Sequence, residues 1–229
     1  MGEERGPPSQ QVSIMTLTTP GQIVVLNGAP RAGKSSIARA IQATFDGVWM
    51  NLGVDNCMAA TPEALQPGLG LRPGGERPDL EPLVALSYAA LYDSIAAHSR
   101  LGLNVVADVG HHDAYSRPLG ILPDCARRLA DSPVLFVGVR CSIEAIMERR
   151  NRGEAGREGR YAAGSESDPV PAPVRAWQEA VHRPGVYDLE VDTTEMSAED
   201  CTAVIRAWLA EPVRSPTAFE RLAGWSERS

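Results

Sequence analysis

The apolar positions of the chain fall into two kinds of run that alternate along it. Five short runs, at residues 22–27, 48–54, 103–107, 134–139 and 186–191, are nearly unbroken and rich in Val, Leu and Ile. Strands buried on both faces of a parallel sheet read this way, because neither side of the pleat needs polar residues. Six longer stretches, at 35–45, 83–99, 119–130, 142–150, 174–182 and 197–209, place their apolar residues at helical spacing. In the first of them Ile37, Ala38, Ile41 and Phe45 share one face, as a helix covering a sheet requires. Strand and helix in alternation predict an α/β domain of three layers, a five-stranded parallel sheet flanked by helices.

Outside this pattern lie three segments. Residues 1–20 are polar and contain proline, and are expected to form a disordered N-terminal tail. Residues 211–229 read as a short amphipathic or frayed C-terminal tail, which leaves 21–210 as the domain. Between the second strand and the next helix, residues 62–82 are rich in Pro and Gly and hold little helical pattern. They are expected to form either a loop over a substrate or a plain insertion.

Composition narrows the function. A chain of 229 residues suits one domain with a full core. Its net charge of -7 argues against a nucleic-acid partner, which would demand a basic face. The four cysteines, Cys57, Cys125, Cys141 and Cys201, have no paired spacing, so neither a disulfide framework nor a zinc site is expected. No apolar run has the length of a membrane span or the form of a signal peptide. A cytoplasmic protein without a membrane partner is therefore expected, and self-association is left open.

Of the 22 basic residues, 21 are arginines and one is a lysine, Lys34. Where generic positive charge is supplied by arginine throughout, a single lysine calls for a specific reason. It stands in Gly28-Ala29-Pro30-Arg31-Ala32-Gly33-Lys34-Ser35, which satisfies G-x-x-x-x-G-K-[ST] between an expected strand and an expected helix. In that context the backbone N–H groups and the positive end of the helix, which includes Ser36, form a nest for phosphate. Lys34 would bridge the β- and γ-phosphates of ATP, and Ser35 would offer its hydroxyl to Mg²⁺.

Parallel sheets concentrate ligand chemistry at the carboxyl ends of their strands. Asp55 follows the second expected strand and Asp108 the third. Each alone could cap a helix or a turn. Beside a phosphate loop both shift toward function, Asp108 as a group that holds metal-bound water or orients the acceptor. From Glu148 to Arg160, five arginines fall within thirteen residues. A solvated face is the usual meaning of such a run, but its place suits an Arg-rich lid at about 148–165, in which Arg149, Arg157 and Arg160 would close over transferring phosphates. His111 and His112 are adjacent rather than helically spaced, which suits a polar turn or an acceptor loop better than a metal pair.

The Leu-Asn-Gly before the phosphate loop and the Gly-Val-Asp ending at Asp55 resemble the chloramphenicol phosphotransferases of antibiotic-producing actinomycetes. The likeness continues at Asp108-Val109, at residues 137–141 and at residues 187–194, and spans about 22–210. One departure is Ala107-Asp108, where the family pattern has two aspartates. The resemblance implies a three-layer P-loop kinase fold, a primary hydroxyl of a drug as acceptor, and Asp55 as the base. The chain is thus expected to be an ATP-dependent O-phosphotransferase acting on an antibiotic. Two alternatives stay open: a kinase of a metabolite alcohol (sugar, nucleoside or shikimate-like), and a non-catalytic ATP-binding regulatory module.

Overall fold

Successive residues of a strand point to opposite faces, and in this chain both faces are apolar. The computed structural model describes residues 19–152, 164–212 and 215–225. Its five strands, β1 (Ile23–Asn27), β2 (Trp49–Asn51), β3 (Asn104–Val109), β4 (Val134–Arg140) and β5 (Leu189–Asp192), form one sheet. Their order is β2-β3-β1-β4-β5, with every pairing parallel. The five-stranded parallel sheet expected from the apolar runs is present.

Alternation divides the interior into two cores. Ile23, Val25, Val105, Ala107 and Phe136 pack on one side with α3 (Glu81–Arg100), α4 (Ile121–Arg128) and α8 (Ala218–Ala223). Val24, Leu26, Val106, Leu135 and Val137 pack on the other with α1 (Lys34–Thr44), α5 (Ile143–Arg152), α6 (Ala172–Ala180) and α7 (Ala198–Ala210). Ile37, Ala38 and Ile41 are the buried face of α1, as their spacing predicts. Emptying one such site, as in Ile37→Ala, costs about 2–5 kcal/mol, so the helix that follows the phosphate loop is firmly seated.

The structure refines three expectations. The run at 48–54 is strand only to Asn51; at Val54 the chain turns into α2 (Val54–Ala59), a helix the sequence pattern does not separate from the strand. Six residues give too little periodicity to distinguish the two. Within 62–82 the chain makes two single 3-10 turns, Glu63–Leu65 and Gly68–Gly70. Finally, the segment expected to be a tail includes α8, opened by a capping box at Thr217 and buried through Ala218, Phe219 and Leu222. Asp188 fastens it: one carboxylate oxygen accepts from the Ala218 N–H and the other from the Phe136 N–H. No helix among the described residues is long and apolar enough to cross a membrane.

Chain order reverses direction in the sheet at β1: β2 and β3 lie to one side, β4 and β5 to the other. At such a switch point the loops leaving the carboxyl ends of the strands part and open a crevice.

Candidate active site

A crevice of about 1150 Å³ opens at that point. Its middle is the phosphate loop. Gly28 must be glycine, since a Cβ there would come within 2.5 Å of the Val139 carbonyl oxygen. Gly33 has φ 92° and starts α1 from a left-handed conformation. Arg31 also has positive φ, at 73°, a conformation that costs a non-glycine residue about 1–2 kcal/mol. Lys34 folds back over the loop, donating to the carbonyls of Gly28 at 2.7 Å and Ala29 at 2.9 Å. Enclosure lowers its pKa to about 8, with the negative charges of Asp108 and Asp55 opposing the shift.

Asp108 lies on β3 beside the loop, where Cα pairing sets it against Leu26. It accepts a 2.7 Å hydrogen bond from the Ser35 hydroxyl. The neighbouring chain makes room for it: a Cβ on Gly53 would lie 1.7 Å from its Oδ1. Only glycine lets the turn after β2 pass so close to this carboxylate. The turn delivers Asp55 into the first turn of α2, where it lines the crevice with Lys34, Ser35 and Asp108. The two aspartates, the lysine and the serine singled out in the sequence therefore meet in one space.

The arginines are placed differently from one another. Arg149 lines the crevice at the end of α5, but its guanidinium is engaged with protein: Nη2 donates to the Thr193 carbonyl at 2.6 Å and Nη1 to the Arg31 carbonyl and the Thr193 hydroxyl, both at 3.2 Å. Arg157 and Arg160, with residues 153–163 of the expected lid, lie outside the described residues.

The far arm of the crevice is built by residues 62–82 and α2. Its apolar walls are Val54, Met58, Pro67, Leu69 and Trp177. Cys57 packs toward the core instead. The loop rests on the segment after β3 through three ties. The His112 Nε2–H donates to the Leu71 carbonyl at 3.0 Å, the Gly74 N–H to the Ala114 carbonyl at 2.7 Å, and Ser116 donates both its N–H, at 2.7 Å, and its hydroxyl to the buried Glu81 carboxylate. Both histidines are thus interior groups. His111 stacks on Tyr88 at 4.5 Å and meets the Tyr92 hydroxyl at 2.7 Å, and burial takes its pKa down to about 3. His112 sets its ring edge-on to Trp177 at 4.9 Å.

Several site residues escaped sequence reasoning. The clearest are Gly53 and Thr193, which the sequence marked only within the family resemblance and with no role of their own. Thr193 follows directly after β5, so the same rule that marked Asp55 and Asp108, function at the ends of parallel strands, could have found it.

A phosphate loop on the central strand, a carboxylate on its neighbour and a second arm walled for another molecule define a phosphotransferase of the P-loop kinase fold, acting on hydroxyl groups. Residues 21–210 match the model of the chloramphenicol phosphotransferase-like proteins, and the chain belongs to that family. A Mycobacterium tuberculosis protein provisionally named an O-phosphotransferase, known from strains CDC 1551 and H37Rv, is 29% identical over 217 residues, 88% of each chain. Solved structures with the same fold include the APS kinase of Mycobacterium tuberculosis in complex with AMPPNP and APS. That one has TM-score 0.55 and 16% identity, over 84% of this chain and 99% of that one. The shikimate kinase of Acinetobacter baumannii in complex with shikimate has TM-score 0.54 and 14% identity, over 84% and 94%. The tunicamycin resistance protein of Deinococcus radiodurans has TM-score 0.53 and 14% identity, over 86% and 99%.

Proposed function

We propose that the protein transfers the γ-phosphoryl group of ATP to a hydroxyl of an uncharged natural product with a large apolar part, an antibiotic being the class that fits best. The carrying observation is the makeup of the far arm. Its walls are aliphatic and aromatic, and its two arginines already face carboxylates: Arg77 pairs with Asp79 at 2.7 Å and Arg72 with Glu76 at 4.0 Å. An anionic acceptor, such as a shikimate-like acid, would want a cation not already opposed. An apolar alcohol needs only the walls and a base.

The residues present fit ATP and Mg²⁺. The loop carries glycines where its backbone passes the Val139 carbonyl and where φ is positive, and Ser35 with Asp108 forms a hard oxygen pair of the kind Mg²⁺ takes. Bound ATP with Mg²⁺ supplies the phosphoryl group and offsets part of its charge. With the nucleotide bound, Lys34 would give up its two carbonyl partners for phosphate oxygens, and Ser35 and Asp108 would hold the metal ion. Asp55 accepts the proton of the attacking hydroxyl from the opposite wall. Transfer of this kind asks chiefly for alignment and charge neutralisation, which these four side chains and the loop amides supply.

The test is to incubate the protein with ATP and Mg²⁺ and a panel of hydroxylated antibiotics, sugars, nucleosides and shikimate. Gain of one phosphoryl mass on an apolar antibiotic is the expected result. Gain on a small polar metabolite alone would sink the antibiotic reading and keep the kinase.

A further inference from the structure

Thr193 sits beside the phosphate loop, on the wall of the crevice, at a junction of three elements. Its hydroxyl donates to the Ala32 carbonyl at 2.8 Å, with the Arg140 carbonyl of β4 3.2 Å away. The same oxygen receives Arg149 Nη1, and the Thr193 carbonyl receives Arg149 Nη2. Arg149 then reaches the Arg31 carbonyl, while the Arg31 guanidinium returns a 2.6 Å hydrogen bond to the Arg149 carbonyl. Arg31 is the loop residue in the left-handed conformation. Gly33, the other positive-φ position of the loop, faces the same pair: a Cβ there would meet Thr193 Cγ2 at 3.4 Å and Arg149 Nη1 at 3.5 Å.

A trans peptide sets each carbonyl opposite the next N–H. Fixing the Arg31 and Ala32 carbonyls on Arg149 and Thr193 therefore turns the N–H groups of Ala32 and Gly33 the other way. The Ala32 N–H points back into the loop, where it meets the Ala29 carbonyl at 3.1 Å. The loop's turn is thus held from the Thr193 side as well as by its own backbone hydrogen bond.

We propose that Thr193, acting through Arg149 and Ala32, is a positioning residue for the nucleotide: it holds the phosphate loop in its binding shape before ATP arrives. Arg149 serves as part of this brace, so the arginine expected to close over phosphates shapes their site by holding the loop. The inference rests on the ATP reading above. Preformed donors bind more tightly than donors that must be ordered on contact, because the ordering cost is met during folding.

The experiment measures binding of Mg²⁺–AMPPNP by calorimetry to the full chain and three variants, with hydrogen exchange at residues 28–36 and thermal melting of each. Thr193→Val keeps volume and loses the hydroxyl; affinity is expected to fall about tenfold while the melting temperature changes little. Thr193→Ser restores the hydroxyl, and with it affinity within about twofold of the parent. Arg149→Met is expected to match the valine variant. Faster exchange in the loop should accompany each loss. Equal affinity for Thr193→Val and the parent would overturn the proposal, as would serine and valine variants that are equally weak. If the parent chain fails to bind AMPPNP, the ATP reading falls. The loop's exchange then decides the brace by itself: unchanged protection in Thr193→Val overturns it.

Discussion

The two arms of the crevice are built by different means. The phosphate arm is a contiguous run of eight residues, Gly28 to Ser35, whose turn requires two glycines and the start of a helix and is tied at two carbonyls to Thr193 and Arg149. The acceptor arm is assembled from distant pieces: α2, two 3-10 turns, the segment after β3 and Trp177 from α6. Its shape depends on side-chain ties such as Glu81 to Ser116 and His112 to Leu71. On the proposed reading the local device recognises one constant chemical group, the polyphosphate. A composite one can be refitted to different alcohols by changing single contacts, without disturbing the first.

That division can be broken from either side. The largest effect is expected from Lys34→Ala, which removes the cation that follows charge onto the transferring group; the rate should fall about 10⁴-fold on any acceptor, as measured by initial rates of product formation. Asp55→Asn comes next. It should lower kcat about 10³-fold while leaving calorimetric affinity for Mg²⁺–AMPPNP nearly unchanged, and near-normal turnover would remove Asp55 from the base role. A pH profile sharpens the phosphate arm alone. Enclosure lowers the Lys34 pKa to about 8, and on the proposed reading phosphate binds its charged form. As pH rises through that value kcat/KM for ATP should therefore decline about tenfold per unit, whereas kcat, set in the complex where phosphate raises the lysine's pKa again, should hold further up. A flat kcat/KM profile between pH 7 and 9.5 would contradict this. The smallest effect belongs to the acceptor arm: Ser116→Ala deprives buried Glu81 of a hydroxyl donor at a cost of about 1–3 kcal/mol. It should raise KM for the acceptor several-fold and leave KM for ATP alone.

The same division explains what could be read from the sequence. The phosphate loop, Lys34 and Ser35 were legible because their geometry is local and the loop's residue types are dictated by sterics. The sheet was legible because its inner strands β1, β3 and β4 are buried on both faces, which makes their runs almost wholly apolar. Asp55 and Asp108 were found through their position at strand ends. What remained hidden depends on contacts between residues far apart in sequence. Nothing near Thr193 shows that it meets Ala32, and nothing near Gly53 shows that the carboxylate of Asp108 occupies the space a side chain would need. α2 was masked by its continuity with β2, and α8 by its length: its docking rests on Asp188, thirty residues before Ala218.

The solitary lysine has a practical consequence. Apart from the α-amine of the chain, Lys34 carries the protein's one aliphatic amine, and near neutrality an appreciable share of it is uncharged and nucleophilic, given a pKa of about 8. An acylating reagent should therefore place one side-chain adduct, at the heart of the crevice and separable by peptide mapping from that on the α-amine, and protection from it becomes a mass-spectrometric gauge of occupancy for any ligand of the phosphate loop.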